Sequence, residues 1–278
     1  MIGTLDYIRQ YIETGRTLKM MAEVYGDLAA NRLEQIRRQI ERNREFAAQL
    51  ALAYREVKTV TSRFKISGAP KKNKVNVLLF SNHGYFMNME TAVFQLYKNH
   101  PSNDGDLLII GRTGSEILNN QLFDKPFDNL IFDHDLPKPA EIGVAAGKLA
   151  GYEKINVFFP QLKTVATQEP TMVDISAETV AEENNQDAVP EGGVAILEPE
   201  GAKMLAFFEA QILGLLMEQA FLEAELSRTA ARFLAMDEAQ QKAESFIKEK
   251  SLLLQTSENS IKGKAILEMT LGYIARKK

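Results

Sequence analysis

The first 60 residues carry an apolar pattern that predicts one long helix. Residues 4–60 contain no proline and only two glycines. Apolar side chains recur at steps built from three and four residues, which is the spacing of one helix face. These positions are Met21, Tyr25, Leu28, Ile36, Ile40, Ala47, Leu50, Tyr54 and Val57. At 1.5 Å per residue, the predicted helix is roughly 80 Å long.

The C-terminal part of the chain repeats this pattern. No proline follows Pro199, and the spacing predicts a helix from about residue 203 to 260 or beyond. Its stripe consists of Leu205, Phe208, Ile212, Leu215, Leu222, Leu226, Phe233, Met236, Ala239, Ala243 and Phe246. Helices of this length are seldom stable unpaired, because neither can bury its stripe alone. We therefore predict that the two helices form an antiparallel coiled coil.

Between the two helical patterns, strand-like and helix-like segments alternate. The predicted strands are 74–80, 106–111, 129–135, 155–162 and 163–176, and the predicted helices are 88–100, 115–121 and 139–154. This alternation indicates a parallel, Rossmann-like sheet with an antiparallel hairpin at its far edge. Pro170 fits an edge strand, because such a strand has a row of unpaired donors. The acidic, turn-rich segment 177–193 is predicted to be a mobile loop.

Together these patterns predict the fold class. It is an α/β fold with a long antiparallel coiled coil, in which the N- and C-terminal helices pair as a rod and a Rossmann-like α/β domain is inserted between them. The predicted boundaries are 1–62 for the first long helix, 72–200 for the inserted domain and 201–278 for the second long helix.

Composition and charge narrow the function classes. The 278-residue chain has a formal net charge of −4 and a pI of about 5.6, which disfavours binding to nucleic acid. Cysteine is absent, which excludes disulfides, cysteine-ligated metals and thiol nucleophiles. The N-terminus lacks the apolar core of a signal peptide. The longest apolar run, 205–216, is interrupted by Glu209 and Gln211, so we predict a soluble chain without a membrane span.

The sequence contains no complete motif for catalysis or ligand binding. The segments "SNHGYFMN" and "GRTGSE" follow the first two strands, and neither matches a dinucleotide or P-loop fingerprint. We interpret Gly111 and Gly114 as turn glycines. In a strand the side chains of "DHD" at 133–135 would alternate between faces, which favours a solvated turn over a metal site. We predict no catalytic, cofactor-binding or metal-ligating residues; an enzyme with a Rossmann-like core remains the alternative, which nucleotide binding would reveal.

Five motifs occur in an order that resembles one family. They are "LLFSNHGYFMN" with Ser81, Gly84 and Asn88 in register, "LLIIGRTG", "TQEPT" at 167–171, Glu198-Pro199, and "RFLAMDEAQQKA" with Arg232, Ala235, Met236, Ala239 and Ala243. In this order they resemble the gamma subunit of rotary ATP synthases, across nearly the whole chain. The family pattern near the N-terminus is met only by Thr17 and Met20, and Lys262 stands where the family has arginine.

The resemblance implies a function as a central rotor shaft that is itself not an enzyme. The implied partners are the alpha and beta subunits of a catalytic hexamer, an epsilon-like subunit and the c ring of a proton-translocating membrane sector. The implied location is peripheral, at the cytoplasmic side of the cell membrane. The residues expected to contact the hexamer are Arg16, Lys19, Met20, Arg232, Met236, Lys262 and Lys264. The departures from the family pattern motivate an alternative, a gamma-like shaft of a specialised rotary ATPase that is not a synthase.

Overall fold

The computed structural model describes residues 2–63, 72–83, 87–101, 103–121, 123–164, 166–176 and 201–276. Its helices are α1 (Ile2–Arg63), α2 (Met87–Asn99), α3 (Arg112–Asn120), α4 (Pro139–Leu149) and α5 (Gly201–Arg276). Its strands are β1 (Lys72–Leu79), β2 (Asp106–Ile110), β3 (Asp128–Leu130), β4 (Tyr152–Thr164) and β5 (Thr167–Asp174). Gly84, Glu198, Pro199 and the predicted loop at 177–193 lie outside the described residues.

The chain forms two compact units. The helical-pair unit combines Met1–Asn31 with Ala231–Lys278, and the sheet unit spans Arg32–Ala230. Both long helices predicted from the apolar pattern are present, as is the central mixed α/β sheet, so the predicted fold class is confirmed. The division into domains at 62, 72 and 200 stays a prediction.

The sheet has the predicted mixed topology. Its strand order is β3-β2-β1-β4-β5; the first four strands in this order are parallel, and β5 pairs antiparallel with β4. Several predicted boundaries were wrong. The helix predicted at 139–154 ends at Leu149, and β4 already begins at Tyr152. The third strand covers only Asp128–Leu130 rather than 129–135, and the fourth continues to Thr164 before the hairpin turn.

Alternation along the strands builds a core on each face of the sheet. Val75 and Val77 of β1 belong to a cluster that α4 and α5 cover. Leu78 belongs to a second cluster with side chains of α2 and α3. Neighbouring strand residues point to opposite faces, so the continuous run "VLL" in β1 supplies both clusters.

Pro170 lies in the edge strand β5, as predicted. In the ladder it stands directly opposite Pro160 of β4. Proline has no N–H to donate. The two prolines therefore fit a non-hydrogen-bonded pair of the antiparallel ladder, in which the backbone N–H positions of both residues point away from the other strand. Pro170 therefore removes one donor from the open edge of the sheet, which discourages pairing with a further strand.

The apolar character of α5 is explained in part by its packing in the sheet unit. One 18-residue window of this helix has a mean hydropathy of 1.4 and at most two charged residues. Of the residues in this window, 33% are buried. By length and composition alone α5 could cross a membrane, so the absence of a membrane span stays a prediction. Leu213, Met217, Ala220 and Phe221 of the same helix pack into the core beneath the sheet.

Candidate functional site

The "DHD" segment forms a turn in which each acidic side chain has its own partner. Asp133 forms an ion pair with Lys138, with 3.4 Å between Oδ2 and Nζ. Asp135 Oδ1 accepts a hydrogen bond from the backbone N–H of Asn82 at 2.6 Å, and His134 is exposed. In the part of the chain that the structure describes, no group of three or more His, Asp or Glu side chains is arranged to hold a metal ion.

A buried carboxylate lies beside the first turn of α3, at the carboxyl end of the parallel strands. Glu90 is fully buried and accepts hydrogen bonds from the backbone N–H of Ser81 at 2.6 Å and from Thr113 Oγ1 at 2.7 Å. Rossmann-like proteins bind phosphate at this edge of the sheet, at the N-terminus of a helix. Glu90 places an internal carboxylate there instead.

The helical-pair unit is held together by a series of antiparallel contacts. Arg9 Nη2 donates to Glu258 Oε1 at 3.1 Å, and Lys19 Nζ donates to Glu244 Oε1 at 3.0 Å. The ring of Tyr11 meets the ring of Phe246 edge to face, with 6.4 Å between centroids. In these three contacts, the later residue of α1 meets the earlier residue of α5. The predicted antiparallel pairing is therefore present in this unit.

The face of α1 that packs on α5 differs from the predicted one in this unit. Ile8, Ile12, Ala22 and Ala29 are buried, whereas the predicted stripe residues Met21, Tyr25 and Leu28 are about half exposed. The buried stripe is thus shifted by about one residue along the helix. Small side chains allow two helix backbones to approach closely, so the alanines face α5 and the larger neighbouring side chains point outward.

Gly15 marks a point of close approach between the two helices. A Cβ atom there would lie 2.9 Å from Cγ1 of Ile247 and 3.1 Å from Cδ1 of Phe246. At Gly26 the new atom would meet only Cβ of Met236, at an ordinary 3.8 Å.

We therefore predict opposite effects for two alanine substitutions. Gly26→Ala should stabilise the unit by about 0.5–1 kcal/mol, because alanine favours a helix over glycine. Gly15→Ala should destabilise the unit, because overpacking against Ile247 and Phe246 costs about 1–3 kcal/mol and exceeds the gain in helix propensity. Amide hydrogen exchange of residues 8–29 in both variants measures the difference. Equal stabilisation by the two substitutions would contradict the close approach at Gly15.

The structure places all seven residues predicted to contact a partner in the helical-pair unit. Arg16 is exposed and forms an ion pair with Glu13, at 2.7 Å. Met20 is 63% exposed, and Lys262 and Lys264 are exposed on α5. Arg232 and Met236 are half-buried. Their role in contacting a partner stays a prediction.

Lys19 of α1 forms an ion pair across the helix pair with Glu244 of α5. The hydrogen bond and the charge of Glu244 raise the pKa of Lys19, with a smaller contribution from Glu23. The stabilising effect of a raised lysine pKa is present below the ordinary value of 10.5 and is lost as the pH rises above it. Lys19 thus stays charged at neutral pH, and a partner that used it would compete with Glu244.

Most of the large apolar side chains that are exposed in the described residues lie in this unit. On α1 they are Tyr7, Tyr11, Leu18, Met20, Met21, Val24, Tyr25 and Leu28. On α5 they are Leu252, Leu253, Ile266, Leu267, Met269, Leu271, Tyr273 and Ile274. Soluble monomers rarely leave so many neighbouring apolar side chains in water, and such surfaces mark sites of protein–protein contact.

The end of α5, from about residue 265 to Arg276, extends past the start of α1. Arg9 is level with Glu258, so the first residue of α1 is level with about residue 265 of α5. Every side chain from 262 to 276 is exposed, and the six large apolar ones from Ile266 to Ile274 are 55–76% exposed. They point in several directions around the helix. Successive residues are about 100° apart on a helix, so these six side chains cover an arc of about 200°, and an apolar arc this wide is normally buried against other structure.

The residues predicted from the sequence to contact a partner do not include this terminal apolar segment, and Lys262 and Lys264 were predicted instead because a family motif covers them. The signal was the run "AILEMTLGYIA" at 265–275, in which Glu268 is the only charged residue. We call residues 262–276 the α5 tip.

Comparison with known proteins gives one family and several similar folds. The sequence profile described as "ATP synthase" matches residues 4–268. A search of curated protein sequences finds no match.

The similar solved structures are parts of mitochondrial ATP synthases. A chain of the Euglena gracilis OSCP/F1/c-ring assembly in rotational state 3 has a TM-score of 0.59 and 14% identity, covering 99% of this chain and 95% of its own length. A chain of the Tetrahymena thermophila central stalk and c-ring has a TM-score of 0.56 and 18% identity, covering 79% and 99%. A chain of the Euglena gracilis rotor in rotational state 1 has a TM-score of 0.55 and 13% identity, covering 94% and 99%. At these identities the likeness shows a shared fold.

Proposed function

Because this chain belongs to the gamma-subunit family of ATP synthases, we propose that it is the central rotor shaft of a proton-translocating rotary ATP synthase. In this role it has no catalytic site of its own. It couples its rotation to the conformational cycling of a catalytic hexamer formed by other subunits. The similar structures are described as rotor, central stalk and c-ring assemblies, which supports this function.

The observation that carries the proposal is the α5 tip. Its six large apolar side chains are exposed over an arc of about 200° of the helix, and between Ala265 and Ala275 the only charged residue is Glu268. A shaft whose end turns inside a ring of subunits needs such a surface, because apolar contacts are non-directional and tolerate rotation. A fixed pattern of buried ion pairs would instead hold one orientation.

The mechanism follows from the asymmetry of the helix pair. Three chemically identical catalytic sites that surround an asymmetric shaft each meet a different side of it. A contact that is stronger in one conformation of a site than in another shifts the population of that site. Rotation moves each contact from one site to the next, so the sites pass through their conformations in turn.

The proposed partners are assigned to the two units by chemistry and by family. The helical-pair unit, including Arg16, Met20 and the α5 tip, contacts the alpha and beta subunits. The inserted α/β domain contacts an epsilon-like subunit and the c ring. The complex is then peripheral to a membrane, with this chain at its cytoplasmic side.

A shaft in a specialised rotary ATPase that is not a synthase is the second candidate. The departures from the family pattern around Gly84 and Lys262 motivated it. The similar structures are all described as ATP synthases, which favours the synthase.

The mass of the native complex tests the proposal. We expect that the tagged chain, purified from its own cells under native conditions, is found once per three copies of each of two nucleotide-binding subunits. A c ring in the same complex supports the coupled synthase, and its absence supports the specialised ATPase. Recovery of the chain alone, or as a homo-oligomer, would contradict a shaft function.

Charge reversal at Lys262 and Lys264 tests the predicted basic contacts. Replacing both by glutamate should lower the ATPase activity of the reconstituted complex about fivefold or more, because each reversal turns an attraction into a repulsion. Reversal of Lys98 and Lys148, which are exposed in the sheet unit, provides the matched control. Unchanged turnover in the first variant would argue that the tip binds through its apolar residues alone.

A further inference from the structure

A cavity of about 390 Å³ opens on the surface of the sheet unit. Its walls come from α1, from α5 and from the loop that precedes α4. Apolar side chains form much of the lining: Phe46, Leu136, Pro137, Leu215 and Leu222. Its volume is in the range of sites that hold small molecules or single side chains of a partner. All residues that line this cavity lie in the sheet unit, so none of them belongs to the exposed apolar surface of the helical-pair unit.

Two buried polar atoms beside this cavity have no hydrogen-bond partner within the described part of the chain. They are the side-chain carbonyl oxygens of Gln39 and Asn43, which lie four residues apart on one face of α1. A buried polar group without a partner costs about 1–3 kcal/mol, so each such group needs an explanation. The terminal amide torsion of both residues is broad, and a rotation about it turns the oxygen toward an occupant of the cavity.

A carboxylate completes the polar part of the lining. Glu218 of α5 is half-buried at the cavity, and among the described residues it has no ion pair or hydrogen bond. The one basic residue of the lining, Arg42, directs its Nε to the carbonyl oxygen of Arg38 at 3.3 Å and is exposed to water. The lining thus combines the carboxylate of Glu218 and two unpaired carbonyl oxygens with the exposed guanidinium of Arg42, whose Nε is directed to the backbone of its own helix.

We propose that this cavity binds an arginine side chain of a partner protein. A guanidinium group carries five N–H donors and no acceptor, which complements a carboxylate and two carbonyl oxygens. The leucines of the wall contact the methylene groups of its stem. Phe46, which is 54% exposed at the cavity, offers its ring face to the cation. The site is independent of the proposed shaft function.

A titration with three small probes tests this site on the full chain. The probes are N-acetyl-arginine amide, the neutral N-acetyl-norvaline amide and the anionic N-acetyl-glutamate amide. The readout is the shift of the side-chain amide resonances of Gln39 and Asn43 in the ¹⁵N-labelled protein. Two variants assign these resonances. The side-chain amide signal that disappears in Gln39→Met belongs to Gln39, and the one that disappears in Asn43→Leu belongs to Asn43.

We expect saturable shifts with the arginine probe and none with the other two. Glu218→Gln keeps the shape of the side chain and removes its charge, so it should weaken binding about tenfold or more. Glu116→Gln, an exposed position on α3, is the matched control and should bind as the unchanged protein does. If Glu218→Gln fails to fold, the salt dependence of the unchanged protein replaces it, and affinity should fall as ionic strength rises.

Three results would overturn the proposal. The first is binding of the neutral or the anionic probe as tight as that of the arginine probe. The second is the absence of a saturable shift up to about 50 mM arginine probe, a concentration at which even weak side-chain sites fill. The third is an affinity that neither Glu218→Gln nor salt changes.

Discussion

Replacing Leu267 and Leu271 together by lysine should weaken assembly of the rotor with its catalytic subunits about a hundredfold or more. Both side chains are exposed in the α5 tip, at 63% and 65%. If the tip turns inside a ring of subunits, each leucine buries its remaining surface there, which is worth about 1.5–3 kcal/mol for a full side chain. Each new lysine also brings a charge into an apolar environment, which adds to the loss.

The same substitutions should leave the isolated chain as stable as before. Exposed positions away from special features change stability by no more than about 0.5 kcal/mol, and lysine is a good helix former near a helix C-terminus. Circular dichroism of the free chain and ATPase activity of the reconstituted complex separate the two effects. Val144→Lys, at a position 57% exposed on α4, is the control and should keep full activity. Normal assembly of the double variant would show that the tip is not enclosed by a partner.

Gly111→Ala should destabilise the sheet unit by more than about 3 kcal/mol, the largest effect of a single methyl group that we expect in this protein. Gly111 has φ of +116°, a region that side-chain-bearing residues rarely adopt. A Cβ atom there would lie 2.3 Å from the carbonyl oxygen of Phe80. That oxygen belongs to the backbone beside the central strand, so neither group can move without disturbing the sheet.

The matched control is a glycine in the same unit with open surroundings. Gly147 lies within α4, and a Cβ atom there would meet nothing within 4 Å. Gly147→Ala should therefore stabilise the unit by about 0.5–1 kcal/mol. Amide hydrogen exchange of β1 and β2 in each variant reports on this unit directly. Equal protection in the two variants would show that the turn after β2 adapts to a side chain.

The conformation of Gly111 was only partly predictable from the sequence. The spacing of Gly111 and Gly114 predicted turn glycines. The reason that glycine is required lies in the approach of the carbonyl of Phe80, the residue that follows the neighbouring strand β1. Close contacts between strands depend on the register of the sheet, and local sequence does not specify that register.

The functional surface divides in the same way. The resemblance to the family predicted seven contact residues, all of which lie in the helical-pair unit, and their role stays a prediction. The family motifs did not reveal the apolar tip, because a run such as "AILEMTLGYIA" fits a buried helix equally well. Only the register of the two helices shows that this run extends past the start of α1 and lies in water.

The element order, the long helices and the mixed sheet could all be predicted from the amino-acid sequence. These follow from local periodicity, from proline and glycine positions and from the strand–helix alternation, which act over a few residues. Tertiary structure decided which face of α1 is buried, with Ala22 inside and Met21 and Tyr25 outside. It also decided that Gln39, Asn43 and Glu218 surround one cavity. The physical reason is that burial depends on the partner surface and on how closely it approaches, and residues about 180 positions away in the chain supply that surface here.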